Sequence, residues 1–194
     1  AKGKNKDVMY RVVKFEIRPS ADQVAVLNVI SNNLRTVWNE ALAERNASFE
    51  THLAPLYKAL KEAKGNGNDL KEANTRQAIS LAFREHRITL FDQINALTSR
   101  RANDRAFASV PRNWQEETLD TLEGSFKSFL SLQKNGDHDA RPPRIKDEGY
   151  FSEIPGRFGF KVREGTEFVL SCEKMFGEME FVFPIPEYQQ YKLR

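Results

Sequence analysis

The chain has 194 residues, 40% of them apolar, which is enough for one substantial domain or two small ones and argues against wholesale disorder. Lys plus Arg number 30 against 27 Asp plus Glu, a net charge of +3 too small to demand a nucleic-acid partner, so where the charge clusters matters more than its sum. The single Cys172 excludes an internal disulfide, the dispersed His52, His86 and His138 give no metal-ligand spacing, and no apolar run is long enough for a membrane helix or a signal-peptide core.

Residues 1–7 are polar and basic and read as a lead-in. In YRVVKFEIRP, Val13, Phe15 and Ile17 alternate with Lys14, Glu16 and Arg18, which predicts a half-buried strand ended by Pro19. Ser20 followed by Gln23 is a capping-box start. Val24, Leu27, Ile30, Leu34, Val37, Trp38, Ala41 and Leu42 then recur at helical spacing and predict a long amphipathic helix. A second helix is expected over about 53–64, with a turn at GNGND (65–69). A third helical region carries Ile79, Ala82, Phe83, Leu90, Phe91, Ile94 and Leu97, with a break near Ile88, and Arg100 to Arg105 reads as a basic connection.

Val110-Pro111 marks a boundary, because the residue before proline leaves the helical region. Asn113 is the expected cap of a further helix whose buried stripe is Leu119, Leu122, Phe126, Phe129 and Leu130. KNGDHDARPPR (134–144) reads as a loop. FGFKV (158–162) and EFVL (167–170) flank a hairpin turn at 163–166, and EMEFVF (178–183) is a third strand. The order of strand, helical block and strands suggests that the first strand pairs with the last group, which makes the helices an insertion in one β-domain.

No carboxylate constellation for metal-assisted cleavage stands out. Glu116, Glu117 and Asp120 fit solvated helix faces, as Glu178 and Glu180 fit an outer strand face. GNGNDL lacks the strand and the Lys-Ser/Thr of a phosphate loop, and the sequon Asn46-Ala47-Ser48 falls on the long helix. The basic clusters are better candidates for phosphate contact: Lys14 and Arg18; Arg100, Arg101, Arg105 and Arg112; and Arg141, Arg144 and Lys146 in a proline-stiffened loop. Each also reads as an ordinary solvated surface, with Arg144 pairing to Asp137 or Asp139. Asn39 beside Trp38 either hydrogen-bonds a base edge or a backbone of the nucleic acid, or is a polar group that caps or bridges to the β-domain.

Three segments in this order resemble the N-terminal half of the transposon-encoded TnpB nucleases and of the related type V CRISPR effectors. They are YRVVKFEIRPSADQVAVLNVISNNLRTVWNEAL with its aromatic-Asn pair Trp38-Asn39; SFKSFLSLQKNG running into ARPPRIK; and FGFKVREGTEFVLSCEKMFGEMEFVF. Ile145 stands where that family has an aromatic residue. The resemblance implies an α+β fold, a small oligonucleotide-binding-like β-barrel called the wedge, interrupted by a helical recognition domain. The expected parts are a wedge over 1–19 and 134–194 and a recognition domain over 20–133.

It further implies binding of guide RNA and target DNA, including a short flanking motif, in cytoplasm or nucleoid. Arg144 and Lys146 become the favoured contacts. The family's RuvC-like nuclease, which would hold Mg²⁺, is expected to be missing because the chain stops at Lys192-Leu193-Arg194, so no catalytic residue and no cofactor are expected in this chain. Two alternatives stand beside this reading. One is a nuclease-free repressor or adaptor of the same ancestry; the other is a protein-interaction module without a nucleic-acid role. A homodimer is left open.

Overall fold

The structure is a computed structural model that describes residues 16–137, 139–148, 161–163, 169–172 and 177–182. Val13, Lys14, Phe15, His138 and the centre of the expected hairpin turn lie outside the described residues. Helix α1 (Ala21–His52) opens on the expected capping box: the Gln23 N–H donates to Ser20 Oγ at 3.3 Å and the Ser20 N–H donates to Gln23 Oε1 at 2.9 Å. With 32 residues it runs about 48 Å at the usual rise of ~1.5 Å per residue. Ile30, Leu34, Val37, Trp38, Ala41 and Leu42 are its buried stripe, whereas Val24, expected on that stripe, is exposed.

The chain forms two units, one of residues 29–155 and one that combines residues 1–28 with 156–194. In the latter, strands β1 (Glu16–Arg18), β2 (Lys161–Arg163), β3 (Val169–Cys172) and β4 (Gly177–Val182) make one antiparallel sheet in the order β1-β4-β3-β2. Glu16 registers with Val182 and Arg18 with Glu180, so the first strand meets the last one described.

The expected β-barrel is overturned. The described residues are predominantly helical, and among them β1 and β2 are the two outer strands of a four-stranded sheet in which they do not pair with each other. The fold is a helical one carrying a small sheet.

The larger unit holds the rest of α1, then α2 (Ala54–Gly65), α3 (Asp69–His86), α4 (Leu90–Asn103), the short α5 (Arg105–Ala108) and α6 (Arg112–Lys134). Helices α2 and α3 form a hairpin. Gly67 takes a positive φ of 62° that suits glycine, and Asn68 Oδ1 accepts the Lys71 N–H to cap α3. Thr89 and Asp92 form a second capping box at the start of α4; the Thr89 hydroxyl and backbone bonds hold the Asp92 carboxyl below the usual carboxylate range.

Three boundary expectations change. Arg100 to Asn103 are the last turn of α4 rather than a connection, since cations are favoured at a helix C-terminus and Asp104 stops the helix while capping α5. Asn113 lies inside α6; Pro111 takes the cap position, where its missing N–H is no loss. The buried face of α6 sits earlier than expected, on Trp114, Gln115, Thr118, Leu119, Leu122 and Glu123, leaving Phe126 and Phe129 half-buried and Leu130 exposed.

Two polar networks cross this core. In the first, Arg45 Nε donates to Gln93 Oε1 at 3.0 Å and Arg45 Nη1 to Glu123 Oε2 at 2.8 Å, while Gln93 Nε2 donates to the Ala41 carbonyl and to Glu44. Arg87 and Lys127 also face Glu123, each at 3.6 Å. Burial pushes the Glu123 carboxyl up, but the Arg45 hydrogen bond and the charges of Arg45, Lys127 and Arg87 outweigh it and hold it below the usual range. In the second, the buried Gln115 donates to Asn33 Oδ1 and to the Phe107 carbonyl, which also accepts from Asn33.

Candidate nucleic-acid interface

After α6 the chain turns at Asp137, whose Oδ1 accepts the N–H groups of Asp139 and Ala140. Pro142 and Pro143 then favour an extended backbone. The run 141–147 has no helix or strand hydrogen bonds of its own. It is held instead by side chains of α1. Trp38 Nε1 donates to the Arg144 carbonyl at 2.9 Å. Asn39 Nδ2 donates to the Lys146 carbonyl at 2.9 Å, and the Lys146 N–H donates to Asn39 Oδ1 at 2.8 Å. One backbone donor and one backbone acceptor fix which way the Asn39 amide points, because only its oxygen can accept and only its nitrogen can donate.

The Lys146 ammonium lies 5.0 Å from the Trp38 ring centroid, within cation–π range. Arg35 reaches Glu148 at 3.7 Å, one turn of α1 earlier. Arg141, Arg144 and Ile145 are left exposed on the outside of this segment. Arg144 forms no ion pair with Asp137 or Asp139, so the surface-pair alternative is not what is found; Asp137 serves the turn. Asp139 before the run and Asp147 at its end offset its charge. What distinguishes it is therefore presentation, two exposed guanidinium groups without an ion pair among the described residues, on a tethered backbone, rather than a strong field.

The remaining candidates have other surroundings. Lys14 lies outside the described residues. Arg18 is exposed on β1. Asn39 is the bridge just described. Arg100 pairs with Glu40 and lies over the Phe107 ring at 4.0 Å. Arg101 is internal scaffolding: Nη1 donates to the Val110 carbonyl and to Gln115 Oε1, and Nη2 to the Ala108 carbonyl, which ties α4 to the α5–α6 connection. Arg112 pairs with Glu116 one turn on at 2.6 Å. Arg105 is exposed. Of the second cluster, then, Arg101 is spent on the fold and Arg100 and Arg112 are paired with carboxylates.

Several features escape a reading of the sequence. Trp38 reads as core, and it is 5% exposed, yet its indole N–H is a tether. Arg45 follows Ala41 and Leu42 on the apolar stripe of α1, and that placement is the signal that its charge is buried. His52 and His86, far apart in sequence, stack with ring centroids 3.7 Å apart and planes 9° apart. Among the described residues no group of three or more His, Cys, Asp or Glu side chains could hold a metal ion, and no helix is long and apolar enough to cross a membrane.

Comparison with known proteins gives one family. Residues 9–53 match a family model of OrfB of the IS605 transposons, described as a helix-turn-helix domain. The described part of that stretch is β1 and the whole of α1; the next helix, α2, begins at Ala54. Neither the curated proteins nor the solved structures gave a match. The N-terminal part of the chain is thus similar to the helix-turn-helix domain of the TnpB/IS605 transposon family.

Proposed function

We propose that this chain is the nucleic-acid-binding N-terminal portion of a TnpB-like RNA-guided DNA endonuclease. It binds guide RNA and target DNA and leaves cleavage, with its Mg²⁺, to a separate nuclease domain. The observation that carries the reading is the match of residues 9–53, which contains both anchors, Trp38 and Asn39, of the Arg141–Lys146 segment. Guanidinium groups on a fixed backbone contact phosphates without reading sequence, and in such a system base pairing to the guide does the reading. Exposed Arg141 and Arg144 suit that task.

The test is a titration of the chain into labelled structured RNA, single-stranded DNA and duplex DNA, read by fluorescence anisotropy over a salt series. Binding that weakens as salt rises, with RNA preferred to random duplex, supports the proposal. Binding to duplex DNA alone favours a nuclease-free repressor of the same ancestry. No binding to any of the three at low salt overturns the nucleic-acid reading.

A further inference from the structure

We propose that Asn39 is a positioning residue: without touching nucleic acid, it sets the affinity of the Arg141–Lys146 segment by fixing the backbone from which Arg141 and Arg144 project. The inference rests on the nucleic-acid reading above and assigns the regulation of that same surface to one side chain.

The geometry carries it. A primary amide presents an acceptor and a donor side by side, as the C=O and N–H of one residue on a β-strand do. Asn39 uses both on a single residue, so the Lys146 N–H and carbonyl are paired as they would be with a neighbouring strand. Trp38, next to it on α1, anchors the Arg144 carbonyl two residues earlier. Tethers on two alternate residues of the run, Arg144 and Lys146, fix both its register and its facing. They fall on backbone atoms, so the outward side chains of Arg144 and Ile145 stay free. Pro142 and Pro143 restrict the remaining freedom upstream.

Without the tethers, the segment would order only on binding. Ordering the backbone of one residue lowers affinity by roughly tenfold. Glutamine, one methylene longer, would move the amide away from the Lys146 peptide; aspartate would set a carboxylate against the Lys146 carbonyl. Asparagine is the side chain that meets both groups at this spacing from α1.

Three chains are compared in the same salt series: the parent, Asn39→Ala, and Arg141→Ala/Arg144→Ala. Loss of positioning removes no charge. Asn39→Ala is therefore expected to bind about tenfold more weakly at every salt concentration, with the slope of log K against log salt unchanged. The double arginine variant is expected to lower both affinity and slope. Amide exchange adds a readout independent of ligand: the Lys146 N–H should exchange faster in Asn39→Ala while the amides of the α6 core stay protected. Trp38→Phe, which keeps a ring for Lys146 but loses the tether to Arg144, should weaken binding in the same way.

Full affinity in Asn39→Ala, with the double arginine variant weakened, overturns the positioning role and leaves the binding surface standing. An unchanged double arginine variant removes the surface itself. Unaltered exchange of the Lys146 amide in Asn39→Ala overturns the clamp whatever the ligand does.

Discussion

Arg45 and Glu123 form an ion pair at 2.8 Å with both side chains 90% buried, and it joins α1 to α6 through the centre of the helical unit. Their charges are met on further sides by Gln93, Arg87 and Lys127. Breaking a buried pair by removing one partner leaves the other charge stranded. We therefore expect Glu123→Gln to destabilise the protein by about 3 kcal/mol.

The same pair predicts a pH dependence with a definite sign. The Glu123 carboxyl is held below its ordinary value in the folded chain. At acid pH the unfolded chain takes up that proton first, so the contribution is complete above the usual carboxylate range and is lost as pH falls through the lower, folded value. Urea unfolding from pH 7 down to pH 3 measures it. The Glu123→Gln variant should show a shallower acid loss than the parent; parallel curves would contradict the assignment.

Arg101 should behave as a structural residue. Its hydrogen bonds to the Val110 and Ala108 carbonyls and to Gln115 leave two carbonyls and one amide short of a partner when it is removed. Arg101→Ala is expected to lose about 2 kcal/mol of stability, in the range for charge-assisted bonds, while keeping the parent's salt slope for nucleic acid. Arg105→Ala, at an exposed position, should change stability by no more than about 0.5 kcal/mol. Thermal melts together with the salt series separate the two.

Leu122 is completely buried in the middle of α6, in a core shared with Leu34, Leu42 and Leu119. Truncation there removes the transfer energy of the side chain and leaves a cavity. Leu122→Ala should cost about 3 kcal/mol, read as a lower urea midpoint at unchanged m-value. A loss under 1 kcal/mol would mean that the helices close over the gap.

The helices were legible because their signals are local. The Ser20/Gln23 box, the stripe from Ile30 to Leu42 and the turn at Gly67 each follow from neighbouring residues. The barrel was not, because closure depends on strand lengths and on which edges meet, and period-two alternation fixes neither. Boundaries failed where capping competed with composition: a basic run at Arg100 reads as a connection but sits well at a helix C-terminus. Within the site, Arg141 and Arg144 could be named from sequence, but the role of Asn39 could not. Its partners lie 107 residues away and are backbone atoms, which no side-chain pattern reveals.

The central claim is that the segment held on α1 is a phosphate-contacting surface, and its most direct test is the salt dependence of nucleic-acid binding in Arg141→Ala/Arg144→Ala. Both side chains are exposed, so their removal should leave the melting temperature nearly unchanged. Each lost phosphate contact lowers the slope of log K against log salt by about one unit. The account predicts a slope reduced by about two units in a folded variant with weakened binding. An unchanged slope and unchanged affinity in that folded variant would contradict it.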